Sequence, residues 1–200
     1  MAKYLFDKGY VRNEYLTIEM AGQVHHLKVY LRDGKVSSVS ADMGKASFTA
    51  KHIPVLADAD EVINQAVRIG GREYPVTCVS VGNPHCVVFC DAIDGLDLSA
   101  IGPQFEYAPI FPDRVNTEFV RVIDRQTIRL RVWERGSGET MACGTGACAA
   151  VAASVRLGLL PAGKPIAVKL PGGILSVLFT EDGMVLTGDT LLTFEGSFVY

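Results

Sequence analysis

The feature that most constrains this chain is a repeat: two stretches 149 positions apart run through the same succession of elements. In the first, a helical segment from Ala2 to Lys8 ends at Gly9. A β-forming run from Leu16 to Met20 follows, then a turn containing Gly22, a second run, an Asp33-Gly34 turn and a third run. In the second, a helical segment from Gly146 to Leu157 ends at Gly158, followed by Ile166 to Leu170, Pro171-Gly172-Gly173, a run, Asp182-Gly183 and a last run. Gly9 and Gly158 are 149 positions apart, and so are Gly34 and Gly183. Two copies of one helix-plus-hairpins unit imply two pseudo-symmetric halves. With 200 residues, 48% of them hydrophobic, the chain can bury a core of that size.

The Asp-Gly and Pro-Gly-Gly turns separate short runs rich in Val, Ile, Leu and Thr, which read as hairpin-linked antiparallel strands. Between the two copies lie further strand candidates at Val76 to Val81, Cys86 to Phe89, Thr117 to Ile123 and Thr127 to Trp133, and a helical stretch at Leu98 to Phe105. The segment Gly146 to Leu157 is Ala-rich, apolar nearly all round and stopped by Gly158, so it is expected to be a helix buried at the centre of a sheet layer. The expected fold class is α/β (α+β).

Several function classes are disfavoured. No run is apolar for long enough to span a bilayer, and Met-Ala-Lys-Tyr-Leu-Phe-Asp-Lys lacks the apolar core of a secretory signal, so a cytoplasmic location is expected. A net charge of −3 with no block of Lys or Arg offers no footprint for nucleic acid or an anionic membrane, which leaves a small molecule as the expected partner. The five cysteines, Cys78, Cys86, Cys90, Cys143 and Cys148, form no CxxC pair and read as free thiols. No metal site is expected.

One segment concentrates chemistry. Gly136 to Gly146 is a glycine-rich loop running into a helix, so backbone N–H groups can converge on an anion, a carboxylate being the expected guest. The same setting is expected to lower the pKa of Cys143 and make it a base or nucleophile, unless the loop merely turns the chain and the thiol merely packs. Glu134-Arg135, at the strand end before this loop, suits an ammonium and a carboxylate, or else is a solvated strand end. Gly82-Asn83-Pro84-His85 marks a tight turn holding Asn83 and His85 at a sheet edge, where His85 either tunes a thiol or is a hydrogen-bonded turn residue. Asn116 offers an amide to a carboxylate or ammonium, or simply begins a strand. Cys148, Cys78, Cys86 and Cys90 read as core, and His25, His26 and His52 receive no role.

Taken together, Gly-Asn-Pro-His-Cys (82 to 86), Arg-Val-Asn-Thr-Glu-Phe (114 to 119) and Val-Trp-Glu-Arg-Gly-Ser-Gly-Glu-Thr-Met-Ala-Cys-Gly-Thr-Gly-Ala-Cys-Ala (132 to 149) closely resemble the diaminopimelate epimerase family, over essentially the whole chain. The proline racemase type of cysteine racemase shares a Cys-Gly-x-Gly loop but not this ordered set. The resemblance implies a cofactor-independent epimerase of lysine biosynthesis that interconverts LL- and meso-2,6-diaminoheptanedioate. Two cysteines would work on opposite faces of the α-carbon. By position Cys143 would be one of the acid/base thiols, and Gly144 and Thr145 would hold the α-carboxylate. Asn83, Asn116, Glu134 and Arg135 would bind substrate, while His85 and Glu134 would adjust thiol pKa values. A homodimer is implied, as is a fold of two halves, each a mostly antiparallel curved sheet around a central helix.

The resemblance also implies a second catalytic cysteine in a first-half loop similar to Cys-Gly-Asn-Gly. The repeat points to the same gap, because the counterpart of Cys143 falls at position −6, upstream of Met1. A truncated chain is therefore expected: residues 1–43 plus 189–200 as an incomplete first half, with Thr193 to Tyr200 returning to it, and 44–188 as a complete second half. Impaired activity is expected with it. The alternatives are a catalytically silent fragment that binds a carboxylate or a partner subunit, another racemase of the proline racemase type, or a cysteine hydrolase using Cys143 and His85.

Overall fold

The computed structural model describes residues 1–20 and 23–197. In chain order its elements are α1 (Ala2–Asp7), β1 (Tyr15–Met20), β2 (Gln23–Arg32), β3 (Lys35–Asp42), β4 (Gln65–Ile69), β5 (Arg72–Ser80), β6 (Pro84–Phe89) and α2 (Leu98–Glu106). There follow β7 (Asn116–Asp124), β8 (Thr127–Glu134), β9 (Gly138–Thr140), α3 (Gly144–Arg156), β10 (Pro165–Leu170), β11 (Gly173–Phe179) and β12 (Met184–Asp189).

The repeat is visible bond by bond at the two helix ends. Gly9 and Gly158 take φ of +77° and +70°, the left-handed conformation that glycine adopts without steric penalty. Tyr10 N–H donates to Leu5 O and Gly9 N–H to Phe6 O. At the other site Leu159 N–H donates to Ser154 O and Gly158 N–H to Val155 O, and all four bonds are 2.9 Å long. Each atom in one cap lies 149 positions from its counterpart, and each cap satisfies carbonyls that the helix end would otherwise leave bare.

Each helix then feeds an antiparallel three-stranded meander, β1-β2-β3 or β10-β11-β12. The meanders meet where β3 pairs antiparallel with β12, and there Val39 faces Gly188. Those two residues are themselves 149 positions apart, so a pseudo-twofold axis passes between them. The turn containing Gly22 lies outside the described residues.

All strands join one sheet in the order β1-β2-β3-β12-β11-β10-β8-β7-β6-β5-β4, with β9 added beside β8. The pairing is antiparallel except at β6–β7 and β8–β10. Parallel neighbours need a crossover connection, and α2 and α3 supply the two required here. Alternation along the strands assigns the helices to opposite faces. Val79, Val87, Val120, Ile128 and Leu130 pack on α3, while Val76, Cys78, Cys86, Val88 and Phe119 face the α2 side.

Helix α3 is buried at every position from Gly146 to Ser154. Its one hydroxyl in that stretch, on Ser154, donates back to Ala150 O at 2.7 Å, which removes the cost of burying it. The first half has a smaller core of Ala2, Leu16, Val29 and Val36 beneath α1.

Two strands went unpredicted. In β4 only Val67 and Ile69 are buried, among exposed Gln65, Ala66 and Arg68 at the sheet edge, and β9 is three residues long. Beyond β12, Thr190 N–H donates to Ser37 O on β3 at 3.0 Å, and Lys8 pairs with Glu195 at 2.8 Å. Residues 190–197 form no strand there, and the end of the predicted Thr193 to Tyr200 segment falls outside the described residues. Among the described residues no helix is long and apolar enough to cross a membrane.

Candidate active site

The helix α3 starts two residues earlier than the periodicity predicts, with Cys143 itself as the N-cap in an extended conformation. The sulfur accepts the Gly146 N–H at 3.3 Å and lies 3.6 Å from Thr145 Oγ1. The N–H groups of Gly144 and Thr145, in the first turn, have no acceptor within the helix and are free for an anion. A second glycine turn braces the loop from behind. Gly172 N–H donates to Met141 O at 2.7 Å, and a Cβ on Gly172 would stand 2.9 Å from that oxygen. The Pro171-Gly172-Gly173 turn and the Cys143 loop are thus packed backbone against backbone.

The expected lowering of the Cys143 pKa is corrected by the structure. Burial of the thiol, with the nearby Glu118 and Glu134 carboxylates, pushes it up to about 11. The contacts with Thr145 and Gly146 pull the other way but do not outweigh removal from water. In this state Cys143 is a thiol at neutral pH, an acid before it is a base. Burial pushes Cys148 up to about 12 and also raises Cys86 and Cys90. Cys78 and Cys86 face each other across β5 and β6 in the core on the α2 side.

The three sequence motifs converge on one end of the sheet: the starts of parallel β6 and β7 and the finish of β8. His85, wholly buried, has both ring nitrogens engaged, Nδ1 with Glu118 Oε1 at 2.7 Å and Nε2 with Asn83 Oδ1 at 2.9 Å. Asn83 Nδ2 donates to Thr145 Oγ1 at 3.3 Å, so His85 reaches the thiol only through Asn83 and Thr145. Asn116 donates to Pro84 O and accepts Arg135 N–H, both at 2.9 Å, which ties β6, β7 and the end of β8 together. Thr140 Oγ1 donates to Glu134 Oε1. Arg135 is exposed and donates one guanidinium N–H to Asp113 O at 2.8 Å, which leaves the rest of its fork to solvent. Among the described residues no cluster of His, Cys, Asp or Glu could hold a metal ion.

Two residues at this end were missed from sequence. Glu118 is wholly buried in β7, and the available signal was a carboxylate that alternates onto the same face as Val120 and Val122. Glu106, at the end of α2, accepts Trp133 Nε1–H at 2.8 Å and Gly136 N–H at 3.0 Å, and so pins the turn after Glu134 and Arg135. Nothing local in the sequence marks it.

Comparison with known proteins identifies the family. A family model described as diaminopimelate epimerase matches residues 77–192. The diaminopimelate epimerase of Acetivibrio thermocellus is 42% identical over 198 residues, spanning 98% of this chain and 70% of that protein. Its counterpart from Methanococcus maripaludis is 40% identical over 98% of this chain and 71% of its own length. Among solved structures, a probable proline racemase from Agrobacterium radiobacter superposes with a TM-score of 0.71 over 99% of this chain and 65% of the other, at 17% identity. A predicted epimerase from Pseudomonas aeruginosa superposes with a TM-score of 0.61 over 94% and 68%, at 19% identity. These likenesses establish the two-halved racemase fold. With the family model covering more than half of the chain and the relatives at about 40% identity, the chain belongs to the diaminopimelate epimerase family, isomerases of lysine biosynthesis.

Proposed function

We propose that Cys143 is the acid/base on one face of the α-carbon of 2,6-diaminoheptanedioate, with the α-carboxylate seated on the N–H groups of Gly144 and Thr145. The observation that carries this is the position of the sulfur. It caps the very helix whose Gly144 and Thr145 N–H groups have no acceptor within the helix, so a carboxylate bound there sets its own α-carbon beside the thiol. Negative charge develops on the α-carbon and its carboxylate as the proton leaves, and the start of α3 is aimed at that charge.

Arg135, with most of its guanidinium free, receives the carboxylate of the substrate, and Glu134 the ammonium. Asn83 and Asn116 line the same end of the sheet. Their amides are largely committed to Thr145, His85, Pro84 and Arg135, so each offers one remaining N–H. The division into 1–43 plus 189–200 and 44–188, a homodimeric assembly and a cytoplasmic location belong to the same reading.

One observation favours a second reading. Of the five thiols, Cys143 alone stands at the mouth of the helix; Cys148 is buried one turn further on, and Cys78, Cys86 and Cys90 belong to β5, β6 and the core on the α2 side. Residues 1–200 then supply one face of a two-base reaction, bind the substrate and move its α-proton without inverting it. Chiral chromatography after incubation with the LL isomer separates the readings. Meso product supports full epimerisation. Absence of meso product, with Cys143 protected from alkylation by the LL isomer, supports the one-sided reading. Neither product nor protection removes both.

A further inference from the structure

Glu118 carries a charge-bearing group into the interior of the sheet, and the family assignment leaves it without a task. Its side chain is wholly buried, Oε1 is 2.7 Å from His85 Nδ1, and Oε2 has no hydrogen-bond partner. Burying a carboxylate oxygen without a hydrogen-bond partner is costly, so its retention calls for a use.

Space for the carboxylate is made by Gly146. A Cβ there would stand 2.8 Å from Glu118 Oε1 and 3.2 Å from Cys143 Sγ, so the oxygen and the sulfur flank the same small space beside the first turn of α3. The hydrogen bonds that join them have a direction. Asn83 Nδ2 gives its hydrogen to Thr145, so Oδ1 faces His85 and must accept from Nε2–H. Thr145 Oγ1, already accepting from Asn83, uses its own hydrogen toward the sulfur. With Nε2 holding a proton, the 2.7 Å contact between Nδ1 and Oε1 holds one further proton between imidazole and carboxyl. Every donor from His85 onward therefore points toward Cys143, and Glu118 anchors the far end.

We infer that Glu118 is a positioning residue of this site: it fixes His85 with a proton on Nε2 and sets its carboxylate beside the Cys143 sulfur. Beyond what burial imposes, the Glu118–His85 pair, rather than His85 alone, then tunes the pH at which Cys143 ionises. The titratable groups around the thiol come from four elements: His85 on β6, Glu118 on β7, Glu134 on β8 and Cys148 on α3 itself. Glu118 is the carboxylate with the larger influence, and it acts in the direction of keeping the proton on sulfur. The inference rests on the reading of Cys143 as the acid/base group, but it concerns the thiol and not turnover.

The test is the pH dependence of Cys143 alkylation by iodoacetamide, followed on the Cys143 peptide by mass spectrometry in the unmutated chain and in Glu118→Gln. The glutamine amide can still donate to Nδ1 and preserve the Nε2–H tautomer, so the comparison removes the carboxylate beside the sulfur, with the proton it shares with His85, and keeps the hydrogen-bond chain. The profile of Glu118→Gln is expected to move down by about one pH unit, making alkylation at pH 8 about tenfold faster. Superimposable profiles, or a shift upward, overturn the inference. Should the variant fail to fold, the nitrogen-15 spectrum of the imidazoles in the unmutated chain decides: a proton bonded to His85 Nε2 is expected, and a bare Nε2 overturns it. Because alkylation needs no turnover, loss of epimerase chemistry with an intact profile shift would count against the proposed function alone. Unchanged profiles with normal chemistry would count against the inference alone.

Discussion

Replacing Gly102 by alanine sets two opposite effects against each other inside α2. Helix propensity favours the substitution by about 1 kcal/mol, since glycine in a helix interior costs roughly that much relative to alanine. Packing opposes it. A Cβ at Gly102 would stand 2.2 Å from Cδ2 of Trp133 and 2.5 Å from its Cγ and Cε3, three atoms of a rigid indole with nowhere to bend. Either α2 withdraws from the sheet or the indole turns. If it turns, Trp133 Nε1 leaves Glu106 Oε2, and Glu106 is the residue that also holds Gly136 N–H.

Overpacking costs about 1–3 kcal/mol, and leaving a buried carboxylate oxygen without its donor costs about 1–3 kcal/mol more. With the gain of about 1 kcal/mol from propensity set against them, the balance is a net loss of about 1–5 kcal/mol, and at roughly 2–4 °C per kcal/mol for a chain of this size the melting temperature should fall by about 2–20 °C. Urea unfolding and thermal melts measure both quantities. A Gly102→Ala chain that is more stable than the original would show that propensity governs α2 and that the Trp133 contact is not the constraint described above.

Two further outcomes follow from the Cys143 environment. Gly146→Ala places a methyl group against both Glu118 Oε1 and Cys143 Sγ, so it should destabilise the chain by about 1–3 kcal/mol and change the alkylation rate of Cys143, whereas Gly163→Ala, at a turn with open space around it, should leave that rate unchanged. With the Cys143 thiol pushed up to about 11, its alkylation rate should climb about tenfold per pH unit from pH 8 to 10, where an ordinary cysteine peptide has levelled off. The linked effect on stability has a definite sign. Between about pH 9 and 11 the unfolded chain has lost the Cys143 proton while the folded chain keeps it, so folding stability falls with rising pH across that window.

Much of this was legible in the sequence because glycines in left-handed conformations leave an imprint. Gly9, Gly34 and Gly158 sit at positive φ in the caps and turns that revealed the repeat, and Asp33 shares that conformation in the first Asp-Gly turn. The Cys143 loop was legible for a similar reason, as glycines clustered before an alanine-rich helix. What stayed hidden depends on distant partners. The start of α3 at Gly144 runs against helix propensity and is tolerated because Gly146 makes room for Glu118 and Cys143, neither of which can be placed without the fold. Glu118 looks like the outward residue of an alternating strand until β7 proves to be covered on both faces. The thiol was expected to be activated because the helix terminus is visible in sequence. The burial and the two carboxylates that reverse the effect are tertiary.

The central claim, that Cys143 moves the α-proton of the bound amino acid, is tested most directly by solvent deuterium. LL-2,6-diaminoheptanedioate is incubated in deuterium oxide with the unmutated chain and with Cys143→Ala, and deuterium at the α-carbon is counted by proton NMR and mass spectrometry. The account predicts incorporation with the unmutated chain, whether or not inversion accompanies it, and none above background with Cys143→Ala. Incorporation that survives in Cys143→Ala, or none in the unmutated chain while it binds the substrate, would contradict it.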